Sequence, residues 1–152
     1  AELRAAVEAA TNWGTYVTVH AYTPAAIQRA ITAGVQCIEH GHLMDDATAR
    51  MMAEKGVWLS MQPLPDALAE SFPPGSEQRA KAFEVFAGTA RTYELAKKYG
   101  IKTSWGTDVL FSPALAVQQG ALLAKLATWF TPAEALAQAT GANAQLLALS
   151  GK

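Results

Sequence analysis

Cys37 is the single cysteine of this 152-residue chain, so no disulfide can form within it. It lies between Val35 and Ile38, where a small buried hydrophobe is a better reading than a nucleophile. Charge is scarce too: 16% of residues are charged, the net formal charge is −1, and lysines and arginines are scattered. No basic stripe exists for a phosphate backbone to follow, which argues against a nucleic-acid partner. No apolar run approaches the roughly 20 residues that span a bilayer, so no membrane partner is expected. Ala1 to Asn12 carries charges at helical spacing and lacks the apolar stretch of a signal peptide. These absences favour a soluble protein; the missing leader fixes little about compartment, and a cytoplasmic one is favoured. There is no Gly-rich phosphate loop after any strand-like run and no Walker motif, which argues against a stand-alone doubly wound nucleotide-binding domain.

What is present is apolar and alanine-rich. Hydrophobic residues make up 51% of the chain, enough for the core of one domain over residues 1–152. Four β-rich runs stand out: Thr15 to His20, Gln36 to His40, Val57 to Met61 and Lys102 to Asp108. In the first, Val17 and Val19 alternate with Thr18 and His20, the period of a strand.

Between the strands lie helical patterns with marked ends. Thr23-Pro24 reads as N-cap and first helical residue, Gly34 as the stop, and Ala26, Ile27, Ala30 and Ile31 as the inner face. Asp45 caps a helix ending at Gly56. Ser76 opens a long one, with Phe83, Phe86, Ala87 and Ala90 inward and Gly100 beyond its end. Ser112-Pro113 starts another, and Thr131-Pro132-Ala133-Glu134 is a capping box. Gly141 is expected to divide that helix from a last one. The stretch from Gln62 to Gly75 is proline-rich and aperiodic, and reads as a long loop, a substrate lid or simply a connection.

Strand and helix thus alternate four times, which predicts an α/β fold with a parallel sheet and right-handed crossovers. Four such units are half of a (β/α)8 TIM-type barrel, which takes roughly 250 residues. In parallel α/β folds, functional side chains gather at the carboxyl ends of strands. Here His20 ends the first run, His40 the second and Asp108 the fourth. A lone histidine there is usually a hydrogen-bonded structural residue, and an Asp after Gly-Thr can simply start a turn. Three ligand-type residues at equivalent positions point instead to a divalent cation such as zinc. Tyr22, two residues past His20, is placed to orient a substrate carbonyl or to pack on the rim. His42 stands near the site mouth as a substrate contact or, more simply, a solvated loop histidine. Glu39 alternates with His40 and is expected to face the helices.

Val-Thr-Val-His-Ala-Tyr (17–22), Ala-Gly-Val-Gln-Cys-Ile-Glu-His-Gly (33–41) and Gly-Thr-Asp (106–108) resemble the amidohydrolase superfamily, in particular its imidazolonepropionase-like and prolidase-like (Xaa-Pro dipeptidase-like) members. Residues 131–144 are similar to the helical segment after the last barrel strand of that group. The resemblance implies strands five to eight of the family barrel, with extra C-terminal helices. His20 and His40 would match the metal ligands of strands five and six. Asp108 would match the strand-eight aspartate, which binds metal and takes a proton from the attacking water. The implied activity is metal-dependent hydrolysis of a C–N bond in a small amide, cyclic amide or dipeptide.

The His-x-His of strand one and the carboxylated lysine of strand four have no counterpart in the chain, so the implied metal site is incomplete. A four-stranded half would also expose two unpaired edges and an apolar face, and homo-oligomerisation is expected to cover them. The alternative is a non-catalytic α/β scaffold module that keeps the strand-end residues without activity.

Overall fold

The computed structural model describes residues 1–64, 66–109 and 113–149. Helix α1 (Glu2–Asn12) leads into strand β1 (Thr18–Ala21), followed by α2 (Pro24–Ala33), β2 (Cys37–His40), α3 (Asp46–Lys55) and β3 (Trp58–Ser60). Helices α4 (Asp66–Glu70), α5 (Glu77–Ala87) and α6 (Thr89–Tyr99) precede β4 (Thr103–Ser104). Then come α7 (Pro113–Ala116), α8 (Gln119–Lys125), a 3-10 turn (Leu126–Thr128), α9 (Pro132–Ala137), a π-helical turn (Gln138–Ala142) and α10 (Asn143–Ala148). The four strands form one parallel sheet in the order β1-β2-β3-β4. Parallel neighbours cannot be joined by a tight turn, so every connection runs through helix.

Several helix ends follow from their residues. Thr23 and Pro24 open α2, and Gly34 closes it in the left-handed conformation at φ 99°. The Asp45 carboxylate accepts a hydrogen bond from the Thr48 N–H at 2.8 Å. Thr131 and Glu134 bond each other's backbone N–H reciprocally. Asp45→Ala is expected to cost about 1 kcal/mol through the lost cap, read as a lowered urea midpoint at unchanged slope.

Other expectations are corrected. The long helix from Ser76 breaks at Gly88, and its buried residues are Thr89, Thr92, Tyr93, Leu95 and Ala96 of α6, whereas Phe83, Ala87 and Ala90 are exposed. Gly141 ends nothing, because the π-helical turn carries the backbone through it into α10. The Gln62–Gly75 stretch contains α4, while its Pro65 lies outside the described residues, as does Ser112. The fourth strand keeps only Thr103 and Ser104 of the run expected for it.

One face of the sheet carries the main core. Ala21, Ile38 and Leu59 pack with Ile27, Ala30 and Ile31 of α2, Ala49 and Met52 of α3, and Tyr93 and Ala96 of α6. The strand register puts Thr18, Cys37 and Trp58 in one row of the opposite face, and His20, Glu39 and Ser60 in the next, with Ser104 paired to Ser60. Leu146 of α10 covers Cys37 and Trp58, with Tyr16 and Ala142 alongside. Burial, followed by the charge of Glu39, pushes the Cys37 thiol up to about 12, so it stays protonated and inert. The His20 row lies nearer the carboxyl ends of the strands. There the chemistry-bearing side chains gather.

Candidate functional site

The alternation of β1 puts His20 beside Thr18 on the face opposite the helices. His40 pairs with Ala21, a core residue, so alternation alone would send its ring into the helices. Its backbone instead adopts φ 77°, a left-handed conformation that non-glycine residues occupy at a cost of order 1–3 kcal/mol. The result is contact between the two rings, with His20 Nδ1 and His40 Nε2 2.7 Å apart. Gly41 follows at φ 66°, a conformation that favours glycine, and a Cβ there, 2.7 Å from Leu59 Cδ1, would also push that side chain aside. The same twist explains Glu39, which faces away from the helices, contrary to expectation. Its carboxylate accepts from the Thr18 hydroxyl at 2.8 Å and from the Cys37 thiol at 3.8 Å.

Gln62 sets the proton on His40. Its Oε1 accepts from His40 Nδ1 at 2.9 Å, which leaves Nε2 as the unprotonated nitrogen and makes His20 Nδ1 the donor between the rings. Burial lowers the His40 pKa, against smaller opposing effects of the Gln62 bond and the Asp108 charge. His40 is therefore neutral at pH 7, with a lone pair turned toward His20. Gln62 was not singled out in the sequence because the proline-rich stretch hides it. The available signal was its position just past the end of β3, at the same carboxyl end of the sheet as His20, His40 and Asp108.

His42 is not a solvated loop residue: it is 1% exposed. Its Nε2 donates to the Gln62 carbonyl oxygen at 3.0 Å, while Nδ1 is buried without a partner among the described residues. Burial takes its pKa down to about 4. Tyr22 stacks on His40, with centroids 4.5 Å apart and planes 8° from parallel, and reaches the His42 ring at 6.0 Å. Burial and then the Asp108 charge raise the pKa of the Tyr22 hydroxyl, which stays a donor at neutral pH.

Asp108 lies past β4, exposed, at φ 52°. Its charge reaches both Tyr22 and His40, so it borders the same group. Among the described residues, no three His, Cys, Asp or Glu side chains stand close enough together in this arrangement to hold an ion. The structure thus brings together His20, His40, Tyr22 and His42 and keeps Asp108 at the rim. Two facing imidazole nitrogens, one with its tautomer fixed from outside by an amide oxygen, fit a divalent cation. Asp108 and Glu39 are the carboxylates whose charges reach His40. Among the described residues, no helix is long and apolar enough to cross a membrane.

Comparison with known proteins bears on the family and the fold. The amidohydrolase family model matches residues 1–152. An uncharacterized protein of Mycobacterium tuberculosis is 33% identical over 115 residues, covering 70% of this chain and 30% of its own length. Among solved structures, an amidohydrolase is 41% identical with a TM-score of 0.86, covering 99% of this chain and 37% of its own. A prolidase complexed with N-methylphosphonate-L-proline is 34% identical with a TM-score of 0.88, over 99% of this chain and 38% of its own. A Xaa-Pro dipeptidase with bound methionine in the active site is 30% identical with a TM-score of 0.81, again over 99% and 38%. The chain therefore spans well under half the length of these relatives, and its parallel sheet and helices match a fragment of their TIM barrels. On sequence and on fold alike, the chain belongs to the amidohydrolase family.

Proposed function

We propose that this chain carries part of the active site of a metal-dependent hydrolase that cleaves C–N bonds in small amide or peptide-like substrates. The observation that carries the reading is the His20–His40 nitrogen pair at 2.7 Å, with His40 oriented by Gln62. His20 and His40 would hold a divalent ion, zinc by the chemistry of two imidazoles and a carboxylate, and Asp108 would complete the set. When bound, such an ion supplies a water acidic enough to ionise near neutral pH and polarises the substrate carbonyl.

Within that frame each residue has a task. Asp108 accepts the proton of the attacking water and passes it to the leaving nitrogen, as a general base and then a general acid. Tyr22, protonated and partly exposed, donates its hydroxyl to the substrate carbonyl. His42 is buried, so it bears on the substrate by backing the Tyr22 ring. The prolidase and Xaa-Pro dipeptidase neighbours favour the peptide-like end of the substrate range.

Metal content tests the reading. The purified chain, dialysed against zinc and then against metal-free buffer, is expected to retain one equivalent, and His20→Ala is expected to lose it. Absence of bound metal from both proteins would favour the second reading, a non-catalytic scaffold module. That alternative draws on the separation of Asp108 from the histidine pair.

A further inference from the structure

Strand β4 is held weakly by its own ladder. It pairs with β3 only through Thr103 and Ser104, after the Lys102 carbonyl oxygen accepts from Leu59 N–H at 2.9 Å. Backbone groups of a parallel strand point alternately to its two sides, so Lys102 and Ser104 face β3 while Trp105 faces away from it. At Trp105 a side chain replaces the missing rung. Asn143 Oδ1 accepts from the Trp105 N–H at 3.0 Å, and Asn143 Nδ2 donates to the Trp105 carbonyl oxygen at 2.8 Å. Asp108 follows after only Gly106 and Thr107. Among the described residues, no other hydrogen bond holds the backbone between Trp105 and Asp108.

The π-helical turn explains how an amide from 38 residues downstream arrives there. A π turn adds one residue to a helical turn, which rotates every later side chain by about 100° around the axis. Asn143 is the first residue after the turn, and its Nδ2 also reaches back to the Ala139 carbonyl oxygen at 3.4 Å. The turn and the clasp act as one device: the first aims the amide, the second fixes the end of β4.

We infer that Asn143 is a positioning residue for Asp108, setting the strand-four tip through the backbone of Trp105. This role rests on the reading of Asp108 as the third donor of the strand-end site. Asn143 acts through the Trp105 backbone that it holds. It restricts where the Asp108 carboxylate can stand.

The test uses the full chain, isotopically labelled, as wild type, Asn143→Ala and Asn143→Asp, with His20→Ala as the comparator. Aspartate at 143 keeps an acceptor for the Trp105 N–H but cannot donate to its carbonyl, so it should fall between wild type and alanine. It also gives the same reading should the alanine variant not fold. Hydrogen exchange at the Trp105 amide and the chemical shift of the Asp108 carboxyl carbon need no metal. Both are expected to change in Asn143→Ala. With Co²⁺ as the probe, affinity is expected to fall about ten- to a hundredfold, with an altered visible spectrum at saturating metal. A merely structural role would lower stability and leave that spectrum unchanged. Loss of Co²⁺ in His20→Ala alone, with Asn143→Ala matching wild type in affinity, spectrum and Asp108 shift, overturns the positioning role and keeps the metal site. If even wild type binds no Co²⁺, the metal reading fails. The clasp is then judged by the Asp108 shift, which supports it if moved by Asn143→Ala and refutes it if not.

Discussion

Gly88→Ala is expected to destabilise the protein by at least about 3 kcal/mol, while Gly120→Ala, within α8, is expected to be neutral or mildly stabilising. Gly88 joins α5 to α6 with an ordinary φ of −73°, so conformational freedom is not why it is there. Space is. A Cβ on Gly88 would lie 2.0 Å from the His42 carbonyl oxygen and 2.9 Å from its carbonyl carbon. Both are backbone atoms and cannot rotate aside, so the helix junction and the His42 segment must separate. Separation strains the hydrogen bonds from the Thr92 hydroxyl to the His42 oxygen at 2.9 Å and the Gly41 oxygen at 3.3 Å. At Gly120 a Cβ meets nothing within 4 Å. Urea unfolding of the two variants checks the contrast, and equal midpoints would refute it. The damage in Gly88→Ala should extend to His40, because Gly41 and His42 continue directly from it.

Acidification is the second large effect. Between about pH 6.5 and pH 4 the metal-free protein is expected to lose about 3 kcal/mol of stability through His42 alone. In the unfolded chain this ring takes a proton near its ordinary value of 6.5, while burial in the folded protein keeps it neutral down to about 4. The unfolded state therefore binds more protons across that window, and stability falls as pH falls. Above pH 6.5 the contribution is complete. His40, also lowered by burial, adds to the loss with the same sign. His42→Gln keeps a donor for the Gln62 carbonyl and does not titrate, so its stability should vary less over the window. Denaturant midpoints at pH 7.5, 6, 5 and 4 test this; identical slopes for the two proteins would rule out His42 as the source.

The parallel order of strands was legible because caps and stops such as Thr23-Pro24, Gly34, Asp45 and the Thr131–Glu134 box act locally. Their chemistry is written within four residues. The strand-end histidines were legible for the same reason, since His20 follows from alternation in its own strand. What depended on distant partners was not. Glu39 was placed on the wrong face because the left-handed turn at His40 breaks the two-residue period. The α5–α6 break at Gly88 answers to a carbonyl far away in sequence, at His42. Gly141 looked like a terminator because glycine commonly ends helices, yet here a widened turn passes through it. Burial of His42 and the work of Gln62 also arise from tertiary contact and leave no periodic trace.

Gln62 serves two rings at once, with its side-chain oxygen on His40 and its backbone oxygen on His42. Leu64, two residues on, is tethered from α8 by the Lys125 ammonium, which donates to its carbonyl at 2.9 Å. Any outward swing of residues 62–64 would therefore unlatch both imidazoles in a single movement, freeing the tautomer of one and removing the partner that the other has among the described residues. Backbone movement of that segment releases both histidines together, and α8 holds the latch.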